Sequence, residues 1–206
     1  NSYDQAWYVG CKAEQSGTMS GEIIADYFTA NPDADKNGDG TIQYVMLQGE
    51  PGHQDATLRS EYAPKAIEEA GFKAEQLAAD TAMWDKVKAT DLMAAFISSQ
   101  SLDKIEAVLC NNDDMALGAA EALEAHGLKP GVDVKLISVD GARSAFQALI
   151  DKRLNCVVEC SPLLGPQLMK AVKDLMAGKE LPLRIITDEK VYTQENAQQY
   201  IRSRKY

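Results

Sequence analysis

Several classes of protein are excluded by what this 206-residue sequence has little of. No apolar run approaches the roughly 20 residues that cross a bilayer, and residues 1–4 lack the basic-then-apolar pattern of a signal peptide. Lys and Arg number 21 against 31 Asp and Glu, so the formal charge is −10 and no basic surface for nucleic acid is expected. We expect a soluble chain that is intracellular or already processed, with no nucleic-acid partner.

Cysteine is scarce as well. Cys11, Cys110, Cys156 and Cys160 are too few for a disulfide framework and include no CxxC pair for zinc. We interpret them mainly as small buried hydrophobic residues. Cys156 and Cys160 would lie too far apart on a strand to be bridged, whereas a Cys11–Cys110 pair stays open.

Short apolar runs alternate with longer segments of helical periodicity. The runs cover residues 6–11, 42–47, 72–77, 105–110, 134–139 and 154–158. The amphipathic segments lie near residues 19–28, 55–70, 84–98, 113–126 and 143–151. Pro64 should kink the second segment or mark its start. This alternation predicts the α/β class, with a parallel sheet flanked by helices on both faces.

The alternation breaks after Glu159, where Pro and Gly punctuate the chain. We expect a helix near residues 167–176, a strand near 183–186 and a last helix near 194–203. Ligands of parallel sheets bind at the carboxyl ends of the strands, so functional residues should follow the strands.

The most specific motif is the run from Asp35 to Gln43, DKNGDGTIQ, which fits the first nine positions of an EF-hand-type calcium loop. Oxygen ligands would come from Asp35, Asn37, Asp39, the Thr41 carbonyl and the Gln43 side chain. Position 12 is Met46, which cannot supply the usual bidentate carboxylate, so that ligand must come from elsewhere. The alternative is a solvated acidic turn.

Polar side chains suited to a sugar follow or flank several predicted strands. They are His53, Asp55, Arg59, Trp84, Asn112 and Asp140. Carboxylates and Arg share the hydrogen bonds of hydroxyl groups, and an indole face packs against the C–H patch of a sugar ring. Simpler interpretations stay open: Trp84 as core, Asp55, Asn112 or Asp113 as helix caps, and Asp140-Gly141 as a turn.

Short motifs along the chain resemble those of the galactose/glucose-binding proteins of bacterial sugar transport and chemotaxis. The motifs are Tyr3-Asp4, Tyr8-Val9-Gly10, residues 35–43, Gly49-Glu50-Pro51-Gly52-His53, residues 80–85, Lys104-Ile105-Glu106, Asn111-Asn112-Asp113 and Val139-Asp140. The similarity covers nearly all of this chain but only roughly the C-terminal two-thirds of that family's length. Residues 130–133 look more like the wider family of ribose-binding proteins and repressor effector domains.

This resemblance implies a non-catalytic, sugar-binding component of an ABC importer. Its ligand would be a monosaccharide such as D-galactose or D-glucose, and the full-length protein would contact the importer membrane subunits and serve chemotaxis. Its location would be extracytoplasmic, either periplasmic or as a cell-surface lipoprotein in a Gram-positive source.

The resemblance also assigns residues. It gives the remote calcium carboxylate to Glu106 and the sugar contacts to His53, Asp55, Arg59, Trp84, Asn112 and Asp140. A further sugar ligand of the family, an Asn, falls on Glu159-Cys160. Which of these two faces the ligand stays open, and Glu159 is included in the predicted site.

The family's fold has two α/β lobes that close on ligand about three chain crossings. On that pattern residues 5–158 form a periplasmic binding protein-like C-terminal lobe with the calcium loop. Residues 159–206 form a crossover tail that would return to the N-terminal lobe, which is largely missing, while the last helix packs back on the C-terminal lobe. We expect the returning segment to be displaced, exchanged in a domain-swapped homodimer or repacked on its own lobe. Half of a site should bind sugar far more weakly than a complete one.

Two other functions stay open. The effector-binding core of a LacI-type transcription regulator shares the fold, although no helix-turn-helix or basic patch is visible. A glycosidase would use a carboxylate pair among Asp55, Asp140 and Glu159. Binding accounts for the same residues, and hydrolysis of nitrophenyl glycosides separates the two.

Overall fold

The computed structural model describes residues 6–100 and 102–206, so the motif Tyr3-Asp4 lies outside the described residues. The strands are β1 (Tyr8–Gly10), β2 (Thr41–Gln48), β3 (Lys73–Thr81), β4 (Ala107–Cys110), β5 (Lys135–Asp140), β6 (Cys156–Glu159), β7 (Arg184–Ile186) and β8 (Val191–Thr193). The helices are α1 (Ala13–Ala30), α2 (Gln54–Glu69), α3 (Lys86–Ser99), α4 (Asp113–Ala125), α5 (Arg143–Ile150), α6 (Gly165–Met176) and α7 (Ala197–Tyr200). No helix among the described residues has the length and apolar character needed to cross a membrane.

Six strands form one sheet in the order β3-β2-β4-β5-β6-β8. Every pair from β3 to β6 is parallel, and β8 runs antiparallel to β6 at the edge. Strand β2 lies between β3 and β4 and is buried on both faces, so Val45 and Leu47 pack on one side while Tyr44 and Met46 pack on the other. The predicted α/β fold is confirmed.

Helices cover both faces of this sheet. Ile24 and Phe28 of α1 and Ile67 of α2 pack on the Tyr44 and Met46 side, where burial of each large apolar side chain contributes ~1.5–3 kcal/mol. Helices α3, α4, α5 and α7 contribute to the core on the opposite side. Parallel strands joined by helices bring the ends of β2, β4, β5 and β6 to one edge of the sheet.

Caps fix the starts of the helices at this edge. The His53 Nδ1 atom accepts a hydrogen bond from Asp55 N at 3.2 Å, and Asn112 Oδ1 accepts one from Met115 N at 3.0 Å. Removing such a cap costs about 1 kcal/mol. Pro64 lies inside α2 and does not mark its start.

The first predicted strand is present, but its expected place in the main sheet was wrong. Strand β1 pairs instead with the tail strand β7, in parallel, as a separate two-stranded sheet. The edge strand beside β6 is β8, which the sequence patterns did not predict. The last helix is α7, whose Tyr200 ring lies 5.2 Å from the Tyr192 ring of β8. The proposed division at residue 158 stays a prediction.

Three connections link the small β1-β7 sheet to the large sheet and its helices. The first connection is residues 11–12, between β1 and α1. The second is residues 160–183, which leave β6 and reach β7 through α6, and the third is residues 187–190, between β7 and β8. Thr187 N of the third connection donates a hydrogen bond of 3.0 Å to the carbonyl of Gly10, the last residue of β1.

Candidate functional site

Arg59 is the centre of a polar cluster at the strand ends. It lies on α2 and is 4% exposed. Its Nη1 atom donates to Asn111 O at 2.7 Å, and its Nε atom donates to Ser16 Oγ at 3.3 Å. Two carboxylates flank it: Asp55 Oδ2 lies 3.6 Å from Nη2, and Asp140 Oδ1 lies 3.7 Å from Nη1. The structure therefore brings Asp55, Arg59 and Asp140 together.

Asp140, at the end of β5, has an unusual backbone conformation and a raised pKa. Its φ of +134° lies outside the range that residues with a side chain normally adopt, and such strain is concentrated at functional sites. Its pKa is raised, because the surrounding chain desolvates the carboxyl group and Asp113 repels its charge. The 37% of its side chain that stays exposed limits that shift.

Asp113 holds the chain that follows β5 through hydrogen bonds, a role that sequence reasoning missed. It is 2% exposed and accepts hydrogen bonds from Gly141 N at 2.9 Å and Ala142 N at 2.7 Å. The Ser138 hydroxyl donates to its other oxygen. Burial raises the pKa of Asp113 to about 7. Its place shortly after the end of β4 was the available signal, but its support of the chain after β5 was not predicted.

Trp84 stands beside the cluster. Its backbone has a φ of +62°, and the centre of its ring lies 5.3 Å from that of the His53 ring, at an interplanar angle of 78°. A Cβ atom on Gly49 would lie 2.1 Å from the indole, so glycine is required there. The indole also packs against the main core and is partly buried, so the core interpretation holds for part of the ring.

The remaining predicted residues make structural contacts. Asn112 uses its amide oxygen to cap α4, and its Nδ2 atom lies 3.5 Å from Trp84 O. Glu159 is the register partner of Asp140, but its carboxylate is held by Arg204 and, at 3.2 Å, by the Tyr192 hydroxyl. The residue that follows, Cys160, lies with its sulfur 2.9 Å from that of Cys11.

This cysteine contact corrects the open Cys11–Cys110 pairing, which was wrong. Cys110 is buried in the main core, away from Cys11, as a small apolar residue. Cys156 is likewise buried, so the apolar interpretation is confirmed for these two cysteines. Cys11 and Cys160 are both partly exposed.

The C-terminal segment also borders the site and was not predicted to do so. The Arg204 guanidinium packs against two rings, 4.5 Å from the centre of Phe146 and 4.4 Å from that of Tyr192. Tyr206 O accepts a hydrogen bond of 2.7 Å from Arg143 N. A depression of about 300 Å³ is lined by Asp55 together with Trp7 and Tyr8.

The predicted calcium loop at residues 35–43 is organised around its first carboxylate. Asp35 accepts hydrogen bonds from Gly38 N at 2.7 Å and Gly40 N at 2.8 Å. Asp39 Oδ2 accepts hydrogen bonds from the side-chain amides of Asn37 and Gln43, each at 3.0 Å.

Glu106 reaches this loop from the chain just before β4. The register of β2 and β4 places it beside Gln43, and its two oxygens accept hydrogen bonds from Lys36 N at 2.7 Å and Gln43 N at 2.9 Å. Glu106 is 2% exposed, and burial raises the pKa of its carboxyl group. Met46, at loop position 12, is buried in the core.

One atom indicates that the loop fits a hard cation. The Gln43 Oε1 atom is buried and has no hydrogen-bond partner among the described residues. An unsatisfied buried oxygen costs ~1–3 kcal/mol, and a calcium ion would satisfy it. The donors are oxygens throughout, from Asp35, Asn37, Asp39, the Thr41 carbonyl, Gln43 and Glu106, which is the donor chemistry that calcium prefers.

Comparison with known proteins gives the family. The periplasmic binding protein domain matches residues 1–180. The D-galactose/methyl-galactoside binding periplasmic protein MglB of Haemophilus influenzae is 41% identical over 179 residues, which cover 86% of this chain and 53% of that protein. The fructose import binding protein FruE of Bifidobacterium longum is 34% identical over 123 residues, covering 60% of this chain and 37% of that protein.

Comparison with solved structures gives a similar fold. The arabinofuranose-bound periplasmic component of the arabinose ABC transporter from Shewanella sp. ANA-3 has a TM-score of 0.84 at 29% identity, over 97% of this chain and 63% of that one. The chain spans about half the length of the first curated relative, 53%. The resemblance inferred from the sequence motifs is confirmed: this chain belongs to the periplasmic binding protein family.

Proposed function

We propose that this chain binds a monosaccharide of the galactose or glucose type, without converting it, as part of the solute-binding component of an ABC importer. The observation that carries the proposal is the buried Arg59 held between the Asp55 and Asp140 carboxylates at the strand ends. The names of the relatives support a sugar ligand, because those proteins bind or import galactosides and fructose.

The cluster is arranged to bind hydroxyl groups. Asp55 and Asp140 each keep carboxylate oxygens available to accept hydrogen bonds, and Arg59 compensates their charges. Asn111 and Ser16 hold the guanidinium in place, so little side-chain freedom is lost when the sugar binds. Trp84 offers the exposed part of its ring to the sugar's C–H face, with His53 beside it.

Asn112 and Glu159 have supporting places in this proposal. The Asn112 amide nitrogen lies 3.5 Å from the Trp84 carbonyl oxygen, next to a residue of the cluster. Glu159 lies next to Asp140 in the sheet, and Arg204 neutralises its charge, so we assign it an accepting role through its remaining lone pairs. If Glu159 contacts the sugar directly, this chain differs from the galactose/glucose-binding proteins, which have an Asn there.

We propose a structural calcium ion at residues 35–43. Its ligands would be Asp35, Asn37, Asp39, the Thr41 carbonyl, Gln43 and Glu106. When bound, the ion would supply positive charge that offsets these carboxylates. The chain's own contribution is to tie the loop to the start of β4 through Glu106, which already bonds the backbone of Lys36 and Gln43.

A second lobe is required for full activity in this proposal. Helix α6 supports it, because only Ala171 of that helix is buried while Leu168, Met169 and Met176 are exposed. We propose that α6 and the β1-β7 sheet pack against an N-terminal lobe, which would cover the sugar and contact the importer membrane subunits. An extracytoplasmic location and a chemotaxis role belong to the same proposal.

The isolated 206-residue chain offers an alternative arrangement. Exposed apolar side chains on α6 favour burial against a second copy, as in the domain-swapped homodimer expected from the sequence. Light scattering after size-exclusion chromatography distinguishes monomer from dimer, and a monomer would remove the swapped arrangement.

Neither a regulator core nor a glycosidase gains specific support. Asp55 and Asp140 share one Arg, and Glu159 is paired with another, so each candidate carboxylate has a cationic neighbour. The raised pKa of Asp140 is a property that a general acid would share, so hydrolysis needs a direct test. Release of nitrophenol from nitrophenyl galactosides or glucosides would overturn the non-catalytic proposal.

Saturation-transfer NMR with D-galactose and D-glucose tests the binding proposal. We expect weak binding to the isolated chain, with Kd on the order of millimolar, because only part of the ring is enclosed. Asp55→Asn should weaken it at least several-fold, while Glu61→Gln, on the outer side of the same helix and paired with Lys65, should not. Equal binding by both variants, or none by the parent chain at saturating sugar, would contradict the assignment.

A further inference from the structure

Two thiols and a carboxyl group meet where the three connections between the sheets converge. Cys11 belongs to the first connection, Cys160 to the second and Glu189 to the third. The Cys11 and Cys160 sulfurs are 2.9 Å apart, and one ligand atom from each of the three residues lies within 4.8 Å of the others. No step of the proposed sugar binding uses these groups.

We propose that Cys11 and Cys160 form a site of reversible oxidation, whose product is an intramolecular disulfide joining the first connection to the second. The sulfurs need to approach by only about 1 Å to reach the ~2.05 Å bond length. Both residues are partly exposed, so a small oxidant can reach them. The other two cysteines, Cys110 and Cys156, are buried in the cores, which makes the reaction selective.

The cluster favours Cys11 as the nucleophile. A hydrogen bond from Cys160 lowers the pKa of Cys11, which favours the thiolate form of Cys11. Burial raises the pKa of Glu189 to about 8, which keeps a proton on this carboxyl group beside the thiolate. The pKa of Cys110 and that of Cys156 are both raised by burial, so these thiols stay protonated and unreactive.

The oxidant in this proposal is a disulfide of a small thiol or of a thiol–disulfide exchange protein. The Cys11 thiolate attacks one sulfur of that disulfide, forms a mixed disulfide and displaces the first thiolate. The Cys160 sulfur then attacks the Cys11 sulfur, and its proton passes to the second thiolate as that group leaves. Two protein thiols are oxidised to one disulfide, and one external disulfide is reduced to two thiols.

The bond would tie together two segments that are 149 residues apart in sequence. A crosslink that closes so long a loop restricts the unfolded chain strongly, so the Tm should rise by several degrees. It would also fix the spacing of two of the three connections, beside Asp140, whose carbonyl accepts a hydrogen bond from Cys160 N at 2.8 Å.

A thiophilic metal ion is the other occupant that this chemistry permits. Two thiolates and the Glu189 carboxylate are zinc ligands, and water would complete a tetrahedron. We favour the disulfide because the sulfurs already lie closer together than two ligands of one zinc ion, which lie roughly 3.7 Å apart for Zn–S bonds of about 2.3 Å.

Thiol counting tests the proposal. The 206-residue chain is reduced, freed of metal with a chelator, and then exposed to oxidised glutathione. We expect the number of thiols titrated after denaturation to fall from four to two, in a monomer lighter by two hydrogens. Peptide mapping should find Cys11 joined to Cys160, and dithiothreitol should restore all the thiols and the lower Tm.

Cysteine variants test which thiols form the bond. The Cys110→Ala/Cys156→Ala variant should form the same bond, whereas Cys160→Ala should stop with glutathione on Cys11. Four remaining thiols, a bond involving Cys110 or Cys156, or only intermolecular dimers would overturn the proposal. Stoichiometric zinc retained by the reduced chain before chelation, with oxidation blocked by its return, would establish the metal site instead.

Discussion

Calcium should stabilise this chain through the loop at residues 35–43. The perturbation is removal of free calcium with a chelator, followed by its return. Binding to the folded state alone stabilises a protein by RT ln(1 + [L]/Kd), about 4 kcal/mol at a thousandfold excess over Kd. For a chain of this size each kcal/mol moves Tm by roughly 2–4 °C, so the Tm should rise by roughly 8–16 °C.

The structure identifies the variant that should remove this effect. Glu106→Gln removes the buried carboxylate that reaches the loop from the start of β4. The quantity compared is the difference in Tm with and without calcium within each variant, so any change in intrinsic stability cancels. We expect that difference to shrink to a few degrees or less.

Asp33→Asn is the matched control, because Asp33 is acidic, exposed and close to the loop but outside the proposed ligand set. Its calcium-dependent rise in Tm should equal that of the parent chain. Differential scanning fluorimetry is sufficient as the assay. Absence of any rise in the parent chain, or an equal rise in Glu106→Gln, would refute the reasoning.

Three further predictions follow from the cluster at the strand ends. Gly49→Ala places a Cβ where the indole of Trp84 lies, so we expect an altered near-UV circular dichroism spectrum and at least several-fold weaker sugar binding by NMR; an unchanged spectrum would contradict the close packing. Arg59→Ala leaves Asn111 O without its donor and two carboxylates without their cationic neighbour, and should cost on the order of 2–4 kcal/mol in urea unfolding; a cost below about 1 kcal/mol would contradict its central position. Because the pKa of Asp113 is raised to about 7 in the folded state, its protonation favours folding at low pH, and that contribution falls as pH rises from about 4 to 7, by up to ~4 kcal/mol. Asp113→Asn should flatten this part of the stability–pH curve, and an unchanged slope would contradict the shift.

The central sheet was predictable because its signals are local. Strands β2 and β4 to β6 are short, strongly apolar runs, and the helices between them show clear 3.6-residue periodicity. The proposed calcium loop is also a local signal, since most of its proposed ligands lie within nine consecutive residues, and it stays a prediction. The Asp55–Arg59 pair follows from helical spacing, once α2 is placed after β2.

The elements that sequence reasoning missed depend on contacts between distant segments. Strand β8 has three residues, and only its pairing with β6 makes it a strand. Strand β1 has an ordinary apolar pattern, which says nothing of its partner, β7. The contact of Cys11 with Cys160 likewise arises from the convergence of two connections and has no local signal.

In the predicted sugar site, too, local patterns identify some residues, while others depend on contacts between distant segments. The spacing of polar residues after the strands located Arg59 and Asp140, but not the Arg204 side chain that reaches Glu159 from the C-terminal segment. That pair lies 45 residues apart in sequence, and no periodicity connects the two positions. Asp113 was visible as a residue, but its buried hydrogen bonds to the chain after β5 depend on the assembled sheet.

The most direct test of sugar binding at this edge is a titration of the ¹⁵N-labelled chain with D-galactose and D-glucose, followed by two-dimensional NMR. The two tryptophans give two indole N–H signals, which Trp84→Phe assigns, and the amides of α6 serve as the internal reference. The account predicts saturable shifts of the Trp84 indole and of the amides of Gly141 and Ala142, with residues of α6 unchanged. Shifts confined to other parts of the chain, or no shifts with either sugar at concentrations well above millimolar, would contradict it.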